Sequence, residues 1–278
     1  WIGRLLRVPV VGMIYHLDKS LKGARWVERS LLGRYDFVLT ISKFSLKQLQ
    51  QIVPHLGNRT EAIYCGVGPQ FARPESDGGV WRKRMGIPPD VPLFSTSGVL
   101  SPRKNHAFLL QVMQAWFHLG RDGFLIVTGE GELAQQLKNQ ARAAEVAERV
   151  LFPGYLPENE LCRAFENSTA FLFPSRMEGF GLAPAEAMAC GTPAIVSDRG
   201  ALPEVVTNGE TGYVLPIDQG AEPWLRAMAR LCDDDNLRAR LAAAALVDVH
   251  ERFSWEKTGR ETETTFRRVI AAHRKQMG

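Results

Sequence analysis

Ala170-Phe171-Leu172-Phe173-Pro174-Ser175-Arg176-Met177-Glu178-Gly179-Phe180-Gly181-Leu182-Ala183-Pro184-Ala185-Glu186 reads as a strand, a turn and the start of a helix. The apolar, aromatic-rich run Ala170 to Phe173 has the length of a buried strand. Pro174 and two glycines then break the chain. Pro184 suits the first turn of a helix, where a missing N–H costs nothing. Glu178 is expected in the loop at the carboxyl end of the strand, and Glu186 on the first helical turn. The amides of Gly181 and Leu182 fall at or near a helix N-terminus, a favourable place for a phosphate. A plainer account is open: Glu186 complements the helix dipole and Glu178 is solvated.

Outward from this unit the pattern repeats. Strands are expected at 93–96, 124–128, 150–152, 194–196 and 213–215, with helices at 105–118, 132–144, 158–167 and 184–190. Strands this apolar, alternating with helices, predict an α/β fold with a parallel sheet covered on both faces. Upstream, strands are expected at 8–14, 37–41 and 60–64, with Ser42 capping a helix that carries Phe44, Leu46, Leu49 and Ile52. The Pro-, Gly-, Asp- and Ser-rich stretch 69–79 marks a linker. Beyond Pro223 the chain is helical, and Ser254 caps a last helix running to about Arg274. The expected organisation is a partial domain at 1–72, a complete one at 73–252, and a closing helix at 253–278 that returns to pack on residues 1–34. The first domain has only three strands and opens on Trp1, so a longer parent is expected.

Composition excludes several classes. The 278 residues are 45% hydrophobic, ample for a core. A net charge of +4 fits an anionic ligand or an anionic surface and is too weak to argue for nucleic acid. Cys65, Cys162, Cys190 and Cys232 form no close pair in sequence and no metal spacing with the histidines. They read as reduced structural thiols, hence a cytoplasmic chain. Arg82-Lys83-Arg84 and Arg267-Arg268 suit weak peripheral contact with the inner membrane surface, or equally a solvated helix face. No apolar run reaches the roughly 18 residues that span a bilayer, and no signal peptide is visible. Asp233-Asp234-Asp235 reads as a solvated acidic turn.

Two strand-to-helix junctions compete for attention. Gly129-Glu130-Gly131-Glu132-Leu133-Ala134 matches the dinucleotide fingerprint literally. Two acids where a pyrophosphate would sit, and a place at the second junction of the domain, argue for a tight turn with an acidic first helical turn instead. The first junction, Ser97-Gly98-Val99-Leu100-Ser101-Pro102-Arg103-Lys104-Asn105, brings two adjacent cations to the sheet edge that receives Glu178. Arg103 offers a bidentate donor and Lys104 a point charge, together suited to a diphosphate, although an ordinary basic loop has the same composition.

The motifs taken in order resemble those of the retaining, nucleotide-sugar-dependent glycosyltransferases of family 4. They are EGFGLAPAEAMACGTPAIVSD with its Glu178-x7-Glu186 spacing, SGVLSPRKN, FPGYLPENEL, ALPEVV, FSW at 253–255, TISKFS at 40–45 and YCGVGPQF at 64–71. The resemblance covers essentially the whole chain. It implies the GT-B fold, two doubly wound Rossmann-like domains facing a cleft, here with the N-terminal domain incomplete. It also implies transfer of a sugar from a UDP- or GDP-sugar to an acceptor hydroxyl with retention, on a saccharide, lipid-linked or small-molecule acceptor. No metal or other cofactor is implied.

By the same resemblance Glu186 accepts from the ribose hydroxyls and Glu178 contacts the donor sugar near its reacting carbon. Arg103 and Lys104 neutralise the departing diphosphate beside the Gly98 loop. The amides around Phe180, Gly181 and Leu182 hold sugar hydroxyls and diphosphate. Backbone at Tyr155 and Leu156 holds the base edge, and His16 faces the cleft from the acceptor side. The sequence departs from the family at Val99, where an arginine is frequent, and lacks the family's glycine-rich acceptor-domain loop. A nucleotide-sugar-binding module without catalysis is therefore the alternative expectation.

Overall fold

The computed structural model describes residues 8–15, 32–71 and 79–277. In chain order the elements begin with β1 (Val11–Ile14), β2 (Phe37–Thr40), α1 (Lys43–Ile52), β3 (Thr60–Ala62) and α2 (Val80–Arg84). There follow β4 (Leu93–Ser97), α3 (His106–His118), β5 (Phe124–Thr128), α4 (Ala134–Ala143), β6 (Val150–Gly154) and α5 (Glu158–Glu166). Next are β7 (Ala170–Phe173), α6 (Leu182–Ala189), β8 (Ala194–Ser197), α7 (Leu202–Val205) and β9 (Gly212–Leu215). Three helices close the chain: α8 (Glu222–Asp233), α9 (Asp235–Arg252) and α10 (Trp255–Met277).

The chain divides into two compact units, residues 1–66 with 252–278, and residues 67–251. In the first unit β1, β2 and β3 form a parallel sheet in that order. Ser42 caps α1 by accepting from the Ser45 amide at 3.0 Å, and buried Leu49 packs with Val38, Val53 and Leu56. α10 lies on this sheet: Val269 packs with Phe37, Leu39, Ile63 and Val11, and Thr265 donates to Glu61 at 2.7 Å. Gly66 closes the unit because a Cβ there would lie 2.6 Å from the Trp255 amide nitrogen. Of the expected contacts of α10 with residues 1–34, Val11 lies among the described residues; most of that segment lies outside them.

The second unit is built on a six-stranded parallel sheet in the order β6-β5-β4-β7-β8-β9. Counting from β4, strands three, two and one are followed by four, five and six, so strand order reverses between β4 and β7. Phe94 pairs with Ala170 across that seam. Both faces are covered, one of them by a cluster holding Phe94, Leu109, Val112, Trp116, Trp224, Met228 and Leu231. That is why the central strands are buried along their length and do not alternate between core and solvent.

Three local readings are corrected. α6 starts at Leu182, two residues before its expected start, because Gly181 adopts a left-handed turn (φ 117°) that opens the helix earlier. Glu186 accordingly lies on the second turn, away from the free amides of the helix end. α4 starts at Ala134, leaving Glu130 and Glu132 exposed outside any helix. α2 was not expected; it forms around Trp81, which is buried and donates from its indole nitrogen to Glu160 at 3.1 Å. The arginines of the two basic stretches have intramolecular partners. Arg82 donates to the carbonyls of Asn167, Pro88 and Val91, Arg84 pairs with Glu160, Arg267 with Glu263 and Arg268 with Glu61. Among the described residues no helix is long and apolar enough to cross a membrane.

Candidate functional site

Ligands of open parallel sheets bind outside the carboxyl ends of the strands, where strand order reverses. Here that place is the crevice between the loops after β4 and β7. Following Gly98, the first loop tightens into a short turn, Pro102–Lys104, ended by Asn105 in the left-handed conformation (φ 58°, ψ 34°). Asparagine is among the few residue types that adopt it readily, and the Asn105 side-chain amide donates across the crevice to the Pro174 carbonyl at 3.2 Å. The second loop answers: the Arg176 amide donates to the Arg103 carbonyl at 2.8 Å, and Ser197 Oγ donates to the Ser175 carbonyl at 2.5 Å.

The stitching brings three of the expected charges together. Glu178 is 7% exposed, not solvated. Its Oε1 lies 2.8 Å from Arg103 Nη1 and 2.9 Å from Lys104 Nζ, and accepts from Ser175 Oγ at 2.6 Å. Arg103 Nη1 also donates to the Met177 carbonyl at 2.8 Å. Lys104 Nζ sits 4.5 Å above the Phe173 ring. Burial lowers the Lys104 pKa below its usual range, opposed by Glu178. Gly200 is needed beneath this cluster, since a Cβ there would approach the Glu178 carbonyl oxygen to 2.3 Å.

Glu186 stands beside the cluster, half-buried, with no hydrogen bond or ion pair to its carboxylate among the described residues. Burial, reinforced by the charge of Glu158, pushes its pKa up to about 7, while Lys104 pulls the other way. Leu182, first residue of α6, is 44% exposed, whereas the Phe180 ring is buried. Gly98 has φ 142° and faces the Lys104 stem. The fingerprint-like glycines belong to the same construction: a Cβ at Gly129 would lie 2.2 Å from the Gly98 oxygen, and one at Gly131 2.5 Å from the Leu100 oxygen. They let two loops touch.

The profile of the family described as "Glycosyl transferases group 1" matches residues 79–247. The chain belongs to the group 1 glycosyl transferases. A D-inositol 3-phosphate glycosyltransferase of a Nocardioides species is 28% identical over 259 residues, covering 88% of this chain and 56% of the relative. The chain thus spans little more than half of that protein. Among solved structures, the sucrose-phosphate synthase from Thermosynechococcus elongatus superposes with TM-score 0.84 at 24% identity, covering 98% of this chain and 71% of that one. The Anabaena protein HepE, solved with UDP-glucose, gives 0.82 at 20% identity over 95% of this chain and 73% of its own. These likenesses identify the fold as GT-B.

Tyr155 is 69% exposed after β6, while Leu156 turns partly into the core with Trp81 and Ile87. His16 lies outside the described residues. Sequence reasoning passed over Ser175, Asn105, Ser197 and Gly200, all brought to the site by tertiary contact. It also passed over His106, which follows Arg103-Lys104-Asn105 directly. That ring is 2% exposed, neither nitrogen has a hydrogen bond among the described residues, and burial with Lys104 nearby lowers its pKa to about 4, so it is neutral at pH 7. Among the described residues no three His, Cys, Asp or Glu side chains converge as a metal site.

Proposed function

We propose that this chain is the donor-binding part of a retaining, metal-independent glycosyltransferase. It moves a sugar from a UDP- or GDP-sugar to a hydroxyl of a saccharide, lipid-linked or small-molecule acceptor. The observation that carries the reading is the pair of cations, Arg103 and Lys104, locked on Glu178 at the strand-order reversal, with the start of α6 beside them.

The chemistry needs these parts. As the bond from the sugar carbon to the diphosphate lengthens, positive charge grows on the carbon and negative charge on the leaving oxygens. Arg103 and Lys104, with the amides of Phe180, Gly181 and Leu182, are fixed donors for those oxygens, and fixed dipoles of this kind supply the largest share of stabilisation in such sites. Glu178 holds the two cations together, so little reorganisation remains when the diphosphate arrives; its carboxylate then faces the sugar. Gly98 lets the phosphate loop approach closely. Glu186, whose carboxylate has no hydrogen-bond or ion-pair partner among the described residues, accepts from the ribose hydroxyls, and the backbone at Tyr155 and Leu156 takes the base edge. His16 is assigned to the acceptor side. Retention follows if the acceptor enters on the face the diphosphate leaves, since no side chain here is assigned as a nucleophile.

Calorimetric titration with UDP, GDP and ADP tests the reading. One nucleotide is expected to bind selectively, and Glu186→Ala to weaken it at least tenfold, within the roughly 1.5–3 kcal/mol of a hydrogen bond to a charged group. Equal affinity in the variant removes Glu186 from the site, and binding of none of the three overturns the donor assignment.

A further inference from the structure

Ser175 carries a hydroxyl whose single proton has three acceptors within reach and one destination. The residue follows β7 by two positions and is fully buried. Its Oγ lies 3.2 Å from the Arg103 carbonyl, 3.2 Å from the Met177 carbonyl and 2.6 Å from Glu178 Oε1. Both carbonyls already have donors: the Arg176 amide serves Arg103 at 2.8 Å, and Arg103 Nη1 serves Met177 at 2.8 Å. The carboxylate contact has the length of an O–H bond to a charged oxygen, so the proton goes there. The backbone on either side is held in turn. Ser197 Oγ, at the end of β8 and also fully buried, donates to the Ser175 carbonyl at 2.5 Å. From the loop that follows β8, the Ala201 amide donates to the Glu178 carbonyl at 3.0 Å.

Glu178 Oε1 thus meets Ser175 Oγ, Arg103 Nη1 and Lys104 Nζ, all within 2.9 Å. Its other oxygen, Oε2, has no hydrogen bond among the described residues. The last torsion of a glutamate is broad, and two long cationic side chains follow a carboxylate that turns. A short hydroxyl on a pinned backbone does not. We propose that Ser175 is a positioning residue: its hydroxyl fixes the plane of the Glu178 carboxylate, keeping Oε1 on the protein's own donors and presenting Oε2 to a hydroxyl of the donor sugar. A carboxylate oxygen only accepts, so the sugar hydroxyl donates. Ser175 acts through Glu178 and touches no substrate itself. The part that concerns the sugar rests on the donor reading given above.

Calorimetric titration compares UDP with UDP-glucose and GDP with GDP-mannose in the parent, Ser175→Ala, Glu178→Ala and the double variant. In the pair that the parent binds, Ser175→Ala is expected to weaken the nucleotide-sugar about fivefold or more and the nucleotide less than about twofold, with no further loss in the Glu178→Ala background. Unchanged affinities, equal losses for nucleotide and nucleotide-sugar, or an additive loss in the double variant overturn the role, because a merely structural hydroxyl gives one of these. Should Ser175→Ala fail to fold, Ser197→Ala, which releases the Ser175 carbonyl, is expected to show the same asymmetry in smaller measure, and a symmetrical loss there overturns the role equally. A crystal structure of the folded variant reads the orientation without any ligand. The Glu178 carboxylate is expected to turn, with one oxygen on each cation, and an unmoved carboxylate overturns the positioning. If the parent binds none of the four ligands, it is the donor reading that fails, and the crystal structure still decides what Ser175 does to Glu178.

Discussion

Glu178 is a buried carboxylate whose two cationic partners come from a loop more than seventy positions earlier in the chain. Removing one member of a buried ion pair leaves the other charge uncompensated, at a cost of about 3–5 kcal/mol. Because Arg103 remains partly exposed, Glu178→Ala is expected at the lower end, about 3 kcal/mol by urea unfolding; an unchanged midpoint would show that water already solvates Lys104. Glu186 makes a different kind of statement. Its carboxyl has a folded pKa near 7 against an ordinary 4.5, so the fold favours the protonated form. Stability from this group is present below pH 4.5, declines as pH rises through the window to 7, and is level above it, a fall on the order of 3 kcal/mol. Unfolding at pH 5 and pH 7.5 is expected to show that slope in the parent and to lack it in Glu186→Gln. Parallel profiles would mean the carboxyl titrates normally.

At the scale of elements, glycines divide into those that serve only a turn and those that let two loops touch. Gly209 has φ 80° with nothing within 4 Å of a new Cβ, so alanine there costs only the left-handed backbone, about 1 kcal/mol. Gly129 has φ 116° and a carbonyl oxygen 2.2 Å from the new Cβ, so alanine must push the β5 turn off the Gly98 loop. Its expected cost is at least twice as large, about 3 kcal/mol. Equal urea midpoints for the two variants would mean the loops separate freely. The dinucleotide-like pattern is explained by this contact. The sequence showed two glycines alternating with acids, and only the juxtaposition of two loops says what they accommodate.

At the scale of the molecule, α10 is joined to the first unit by packing, although nearly two hundred residues separate it from β3. Val269 is 6% exposed among Phe37, Leu39 and Ile63. Val269→Asp would bury an unpaired charge there and is expected to weaken the first unit by about 3 kcal/mol while leaving the 67–251 unit unchanged. Hydrogen exchange of β2 compared with β5 would read it; equal loss of protection in both strands would mean that the two units unfold as one.

What the sequence determined by itself was the set of strands, their parallel class and the sheet edge that carries the charged residues. Runs such as Phe124–Thr128 are apolar on both faces and bounded by breakers, and a strand of that kind is stable only inside a covered parallel sheet. Family-level motifs added Glu178, Glu186, Arg103 and Lys104 as a group. Tertiary structure decided which of them meet. Hydrogen bonds that span the fold, from Ser197 to Ser175 and from Arg176 to Arg103, leave no local pattern. The formation of α2 depended on the burial of Trp81 and its hydrogen bond to Glu160 on α5. Each is a long-range contact, and its energy appears only once the sheet has brought distant segments within a few ångströms.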